Sequence, residues 1–561
     1  MLLKNIFINT FHQRKKFVNA VATVVRLNYD KWNRNKQKWQ YRNNKTIAAL
    51  FTSGIILKTI KDDLEKDIPK NVSNKKDGNG GDNGDGEAGQ KRPDLPVYRA
   101  DEVSKHDTTD SFWVIYKHGV YDITKFLPSH PGGKQILNAG GLSIEPFWNL
   151  YGMHKTKPIY QLLESYRIGN LHDDDVVDMS GNELWVSEPV RDKRLIVKSK
   201  QPFNAEIPAK LIVESLDTPN ELFFVRQHMP VPELEAKDHK LEIIVKNGNT
   251  HTKVFDLEQL GKMFPQSEVR AALMCAGNRR TEMSKQVKPV KGLEWQQGAV
   301  SCARWSGALL RDVLLHCGID TRDTHGLHVI FTGSDMDATG TYFSTSIPLE
   351  QALNPNSSVI LATHMNGEIL PKDHGYPLRV IVPGAPAVRS VKWLQSITIS
   401  KEESSSHWHQ KDYRSFNASK TWETADFASA PPVYSLPVTS AICDPVDGDT
   451  CAVKGGCIEV KGYAYSGGGA RVVRVDVSAD GGATWLQAQE LAADPAPPGR
   501  HYAWMLWTAS VPVPEGLKQV ELRAKATDNN FNTQPEKFED IWNIRGILGN
   551  AYHKINVKLI H

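Results

Sequence analysis

Apolar and polar positions alternate most strictly towards the C-terminus. Val473, Val475 and Val477 alternate with Arg474, Asp476 and Ser478, and Val520, Leu522, Ala524 and Ala526 alternate with Glu521, Arg523 and Lys525. A period of two buries one face of a strand and wets the other, so both stretches predict strands of a half-buried sheet. Asp480-Gly481-Gly482 turns the first of them into a second strand carrying Trp485. Upstream the pattern mixes. Asp256 caps a predicted helix over Leu257–Met263, stopped before Pro265. Ser306 caps another whose apolar face carries Leu309, Leu310, Val313, Leu314 and Cys317 and which Gly318 ends. Short apolar runs such as Leu378–Val382 read as strands. Further upstream, Trp113–Tyr116 turns at Lys117-His118-Gly119 into Val120-Tyr121, a short hairpin. The chain therefore predicts a multidomain α+β protein: a small unit with a hairpin, a mixed central unit and an immunoglobulin-like β-sandwich.

Length agrees with that division, since 561 residues at about 150 per domain make three or four domains. Apolar residues at 40% and charged residues at 24% describe ordinary globular protein. Six cysteines are too few for a disulfide scaffold, and no paired CxxC offers a zinc or iron–sulfur ligand set. Cys443, Cys451 and Cys457 lie close together, but their odd number leaves a disulfide undecided. A net charge of +4 gives no reason to expect nucleic acid. No apolar run reaches about 18 residues, so no stable membrane anchor is expected in the mature protein.

The charge is unevenly placed. Residues 1–46 carry eleven Lys and Arg against the single acid Asp30, leaving the remainder at −6. A basic, acid-poor start reads as a mitochondrial targeting segment over residues 1–60, including the short apolar stretch Thr46–Leu57. Such a stretch behind a targeting segment can halt import, which would place the body in the intermembrane space. Residues 77–90 hold no apolar side chain larger than alanine, so 61–94 is expected to be a flexible linker.

Candidate chemistry begins in the unit expected over residues 95–170. His130 is followed by Pro131-Gly132-Gly133, a tight turn without bulky side chains that lets a large planar group approach the backbone. His154 lies 24 residues further on. The string Trp113 to Gly133, with Tyr151-Gly152-Met153-His154 behind it, resembles cytochrome b5. That resemblance implies a b-type haem (protohaem IX) with His130 and His154 as axial ligands. With both axial positions filled, iron has no open site and passes only single electrons. Residues 171–181 form an acidic connector, read as a hinge between two redox units.

In the central unit, expected over 182–410, four segments crowd polar and cationic residues into turns. They are Phe224-Val225-Arg226-Gln227-His228, Cys275-Ala276-Gly277-Asn278-Arg279-Arg280, Lys291-Gly292-Leu293-Glu294-Trp295, and Asp373-His374 through Arg379, followed by Arg389-Ser390-Val391-Lys392. Together they suit a phosphate-bearing cofactor and an anionic substrate. Segment by segment they resemble the sulfite oxidase family, and the resemblance extends from residue 96 to 561. It implies molybdenum–molybdopterin, with Cys275 as thiolate ligand to the metal, a reasonable partner for a soft donor. It implies pterin contacts from Phe224 through His228, Asp335, His374, Arg379 and Ser390 through Lys392. It implies a substrate pocket of Arg226, Arg280 and Trp295, with Arg545 reaching in from the C-terminal unit, 411–561, which that family uses to form homodimers. Guanidiniums crowded into one pocket repel each other unless a compact oxyanion sits between them.

One position departs from that family. A tyrosine two residues after Gly-Thr is expected near the metal, but this chain reads Gly340-Thr341-Tyr342-Phe343. Neighbours on a strand face opposite ways, so either a local bulge brings the Tyr342 hydroxyl to the site or the enzyme does without it, and the bulge is expected. The activity implied is oxidation of sulfite to sulfate, in sulfur metabolism and sulfite detoxification, with electrons leaving through haem to cytochrome c. Nitrate reductases share the molybdenum motif, yet in them the b5 unit follows the molybdenum domain and precedes a flavin domain. Here it comes first, and nothing after the sandwich can house a flavin. A haem shuttle with a non-catalytic binding domain is the remaining alternative, and the intact Cys275 and arginine set argue against it.

Overall fold

The structure, a computed structural model, describes residues 88–130, 133–151, 154–176, 185, 188–246, 250–322, 324–337 and 340–561. The targeting segment, the linker as far as residue 87, the Pro131-Gly132 turn and residues 177–181 of the hinge lie outside them.

In the first unit, β1 (Val97–Tyr98), β2 (Asp107–Thr108), β3 (Ser111–Tyr116), β4 (Gly119–Asp122) and β5 (Arg167–Leu171) form one sheet in the order β1-β5-β4-β3-β2. β3 and β4 are the expected hairpin, closing on the pair Tyr116 and Gly119. Phe112, Val114 and Tyr121 are fully buried and pack with Ile123, Ile144 and Trp148 into a small core. The unit reaches further back than residue 95. Ala88 is buried, the Gly89 amide donates to Glu164 Oε1 at 2.9 Å, and the His118 amide donates to the Gly89 carbonyl at 3.0 Å. Residues 88–94 therefore belong to this fold and not to the linker. Its end is later too. Lys91 pairs with Asp173 and Arg99 with Asp174 and Asp175, so the first acids of the expected hinge are pinned to the unit that precedes them.

The central unit opens on a small sheet of β6 (Ile196–Lys200), β7 (Phe203–Glu206) and β8 (Val225–Arg226). It continues through β9 (Lys240–Val245), β10 (His251–Asp256), β11 (Gln266–Met274), β12 (Val300–Leu309), β13 (His328–Met336), β14 (Tyr342–Pro348), β15 (Ile360–Met365), β16 (Glu368–Ile369), β17 (Arg379–Ile381) and β18 (Leu394–Ser400). These make two sheets, ordered β10-β9-β18-β13-β14 and β11-β12-β15-β16, with β17 paired to β15. The helix Leu257–Met263 carries the expected cap: Asp256 Oδ1 accepts from the Gln259 amide at 2.8 Å and Gln259 Oε1 accepts from the Asp256 amide at 2.9 Å. The second helix is shorter than its pattern, Leu310–His316, and Ser306 does not cap it. Ser306 sits inside β12, between Glu268 of β11 and His364 of β15, because ladder pairing on both sides outcompetes a local cap.

The C-terminal unit is the expected two-sheet sandwich. Its strands are β19 (Thr439–Asp444), β20 (Thr450–Ala452), β21 (Cys457–Tyr465), β22 (Val472–Ser478), β23 (Leu486–Gln487), β24 (Gln489–Ala493), β25 (Met505–Pro512), β26 (Gln519–Asp528) and β27 (His553–Ile560). The sheets run β19-β21-β25-β24 and β20-β27-β26-β22-β23. Val520, Leu522, Ala524 and Ala526 of β26 all face the core. On β22 the alternation slips at a bulge after Val472, which leaves Val473 48% exposed while Val475 and Val477 stay buried. All six cysteines are free thiols, so Cys443, Cys451 and Cys457 form no disulfide.

Candidate functional site

In the first unit the rings of His130 and His154 lie nearly parallel, at 7°, with centroids 6.5 Å apart. Two imidazoles each about 2 Å from one metal atom, with ring centres another ~1.2 Å beyond, sit ~6.4 Å apart, so this spacing fits an iron held from both sides. His154 Nδ1 bonds the Tyr151 carbonyl at 3.0 Å, which leaves Nε2 for a metal. Burial holds the ring down to about 4, so it is neutral, as a ligand must be.

The central unit carries a pocket of about 660 Å³ that is partly open to solvent. One wall comes from the end of β8, where Phe224, Arg226, Gln227 and His228 leave the sheet. Asp335 on β13 faces them, and His374, Arg379, Ser390, Val391 and Lys392 close the other side from β17 and its flanking turns. This second side is a buried cluster of cations. Arg379 donates only to carbonyls, those of Ser390 at 3.2 Å and His374 at 3.1 Å, and burial pulls it down to about 9. Lys392 donates to the Asp373 carbonyl at 2.8 Å and is likewise held down by burial. The Asp373 carboxylate is already taken by Arg191 and by Gln227 Nε2. Positive charge is thus left for a ligand to balance.

Three buried polar atoms of the lining have no hydrogen-bond partner among the described residues: Gln227 Oε1, His228 Nε2 and Asp335 Oδ1. Orphaned atoms of this kind cost about 1–3 kcal/mol each unless something binds them. Burial raises the Asp335 carboxyl, against the pull of Lys392, and lowers His228, so a neutral imidazole faces the space. Cations at one end and unpaired donors and acceptors along the wall fit a phosphate-bearing heterocycle, which is what a molybdopterin is.

At the other end stands Cys275, 6% exposed, directly after β11. Tyr413 lines the same space, and burial pushes its phenol up to about 12 against the pull of Arg226. Arg226 donates to Asn204 Oδ1 at 3.0 Å and to the Gln227 carbonyl. Arg280 is brought down to about 10 by burial, opposed by the nearby Cys275. Its Nε donates to the Gly546 carbonyl at 2.9 Å and its Nη1 to the Leu293 carbonyl at 3.1 Å. It threads a slot cut by glycines: a Cβ on Gly277 would come within 2.5 Å of the guanidinium, and one on Gly292, at φ +138°, would collide with Nη1. Arg545 is clamped by Asp412, through Nη2 at 2.6 Å to the carboxylate and Nε at 3.1 Å to the carbonyl.

The loop after Cys275 is stitched to the C-terminal unit. The Leu548 amide donates to the Ala276 carbonyl at 2.7 Å and Asn278 Nδ2 to the Tyr463 hydroxyl at 2.8 Å. Arg279, fully buried at φ +64°, holds Glu282 bidentately and donates to the carbonyls of Ser440, Ala551 and Tyr552. The two adjacent arginines therefore divide their work: Arg279 holds domains together and Arg280 faces the site.

Most of the expected residues meet at this cavity, from Phe224 to Lys392. Val225 lies in β8 behind the wall, 3% exposed, and Trp295 is fully buried in the core beneath Cys275 without reaching the cavity. Arg280 and Arg545 stand just outside the lining, within electrostatic reach of one another, and Arg280 of Cys275 and Tyr413 also. Tyr342 is a correction. It is 41% exposed at the start of β14, while Phe343 turns inward to the cavity. A register shift between β13 and β14 occurs here, but it does not bring the hydroxyl round. The phenol that lines the pocket is that of Tyr413. It follows a π-helical turn, Trp408–Asp412, which also delivers Asp412 to Arg545. Its sequence signal was faint, a lone tyrosine in the polar run Lys411-Asp412-Tyr413-Arg414.

Three family models match. Residues 99–172 match the cytochrome b5-like heme/steroid binding domain, 228–408 the oxidoreductase molybdopterin binding domain, and 430–560 the Mo-co oxidoreductase dimerisation domain. With the paired histidines and the thiol-bearing cavity, they define a molybdopterin oxidoreductase that carries a cytochrome b5-like haem domain. Over 478 residues the chain is 49% identical to the mitochondrial sulfite oxidase of Drosophila melanogaster, covering 84% of this chain and 82% of that one. Over 466 residues it is 46% identical to the mitochondrial sulfite oxidase of Homo sapiens, covering 82% and 84%. This chain belongs to the sulfite oxidase family. The solved sulfane dehydrogenase SoxCD of Paracoccus pantotrophus, at 24% identity and a TM-score of 0.51, covers 69% of this chain and 91% of its own, a likeness of fold.

Proposed function

We propose that this protein oxidises sulfite to sulfate at the Cys275 cavity and delivers the electrons through the His130–His154 site to cytochrome c. The observation that carries the reading is the convergence of Arg226, Arg280 and the Tyr413 phenol on a buried cysteine, with Arg545 behind them. Phe224 to His228, Asp335, His374, Arg379 and Ser390 to Lys392 would hold the pterin and its phosphate, and the Cys275 thiolate the metal. Molybdenum bound there supplies the two-electron oxidation, and haem iron a one-electron relay. The guanidiniums bind the oxyanion and fix its orientation, and their positive field opposes its charge as it reacts. Tyr413, kept protonated by burial, donates a hydrogen bond towards the same anion.

The relatives' mitochondrial names and the basic N-terminal segment support a mitochondrial protein. The short apolar stretch behind that segment supports the intermembrane space as its compartment. The match to a dimerisation domain supports a homodimer formed through the sandwich. The test is sulfite-dependent reduction of cytochrome c by wild type and by Cys275→Ser. The variant is expected to lose turnover and keep its haem spectrum. A pterin-loaded wild type whose haem is not reduced on adding sulfite would refute the reading.

A further inference from the structure

The short helix Glu145–Leu150 lies between the two axial histidines in sequence, and its C-terminal end is buried in an unexpected place. Asn149 and Leu150 are 5% and 2% exposed, yet neither belongs to the small core of the first unit. Leu150 joins instead the main core cluster of the central unit, with Met229, Phe343 and Trp408, and Tyr151 and Trp185 pack against that cluster. The Trp185 indole donates to the Asn149 carbonyl at 2.8 Å, which fixes the same corner by a directional bond. The Tyr151 ring is half-buried there, and the charges that act on it are those of Asp337 and Asp412. Asp412 is the residue that clamps Arg545. On its other side, Tyr151 offers its carbonyl to Nδ1 of His154.

One residue thus touches both units, by its backbone at the iron ligand and by its ring at the core of the central unit. We propose that Tyr151 is the positioning residue that seats the haem unit on the central unit for the crossing of electrons to iron. Each crossing moves a single electron from the reduced cavity to ferric iron, with no bond made or broken. The inference rests on the sulfite oxidase reading for the electron source, while the seat itself rests on the packing of Leu150, Tyr151 and Trp185.

The test uses the loaded holoenzyme and its Tyr151→Ala and Tyr151→Phe variants. Electrons are injected by flash photoreduction with an external flavin, so that no sulfite chemistry is needed, and small-angle scattering reports how extended each protein is. The observed transfer rate scales with the seated fraction, so Tyr151→Ala should slow it by roughly tenfold or more and give a larger radius of gyration. Tyr151→Phe, which keeps the ring that packs on the central unit, should slow it less. The haem spectrum and sulfite turnover with the small acceptor ferricyanide should stay as in wild type. Wild-type transfer rates in both variants, or an equal loss with ferricyanide, would overturn the proposal. Absence of sulfite turnover in wild type would defeat the activity reading alone, because the flavin-initiated rates would still decide the seat.

Discussion

Replacing Arg279 by methionine removes a buried cation of similar length and tests how the Cys275 loop is held. In the folded protein its guanidinium bonds Glu282 twice, at 2.8 and 2.6 Å, and reaches carbonyls of Ser440 at 3.2 Å, Ala551 at 2.6 Å and Tyr552 at 3.2 Å. Burial alone would raise the Glu282 carboxyl; Arg279 and His553 overcome this and hold it below its ordinary value. Without Arg279, Glu282 is left with His553 at 3.6 Å as its remaining close partner. Breaking a buried pair by removing one member costs about 3–5 kcal/mol. The three stranded carbonyls add roughly 0.5–1.5 kcal/mol each, partly overlapping that figure, so the total is ~4–6 kcal/mol. That is a large part of the ~5–15 kcal/mol that holds a typical domain folded. Urea unfolding followed by circular dichroism should show the loss as a lower midpoint. Adding Glu282→Gln should restore ~2 kcal/mol, because the uncompensated charge goes with it. A loss below ~1 kcal/mol, or a double variant no more stable than the single one, would refute this account of the pair.

Two further outcomes follow from neighbouring geometry. Gly292→Ala places a methyl against Arg280 Nη1 and should lower kcat/KM for sulfite roughly ten- to a hundredfold with little change in haem absorption; steady-state kinetics check this. His553, whose Nδ1 accepts from the Ile442 amide at 3.0 Å, is held at about 4 by burial, against 6.5 when free. The unfolded chain then takes up a proton that the folded one refuses, so stability present above about pH 6.5 is lost as pH falls towards 4, by up to ~3 kcal/mol. Denaturation across that range should show a shallower slope in His553→Gln.

What the sequence revealed of the site depended on how local each signal was. His130, Cys275 and the Ser390–Lys392 turn announced themselves within a few residues of chain, because a turn that admits a cofactor has to be built from its neighbours. Tyr413 did not, since its place is set by a π-helical turn and by packing against Ala276, Val433 and Ile547, neither of which leaves a periodic trace. Tyr342 misled for the complementary reason: a strand offers two faces, and only pairing with β13 decides which faces the cavity. The Ser306 cap failed where β11 and β15 enclosed it, and the Val473 phase failed at a bulge that no pattern of two can contain. The helix Leu257–Met263 was fully legible because its capping box is closed within four residues.

The stitching of the Cys275 loop to Leu548, Tyr463 and Ala551 has a practical meaning. The sandwich that matches a dimerisation domain also acts as the scaffold of the Cys275 loop, so cutting the gene between the two would not yield a smaller intact site. Anyone grafting this reaction onto another protein would have to transplant both halves together, or rebuild by design the backbone contacts that the distal one lends.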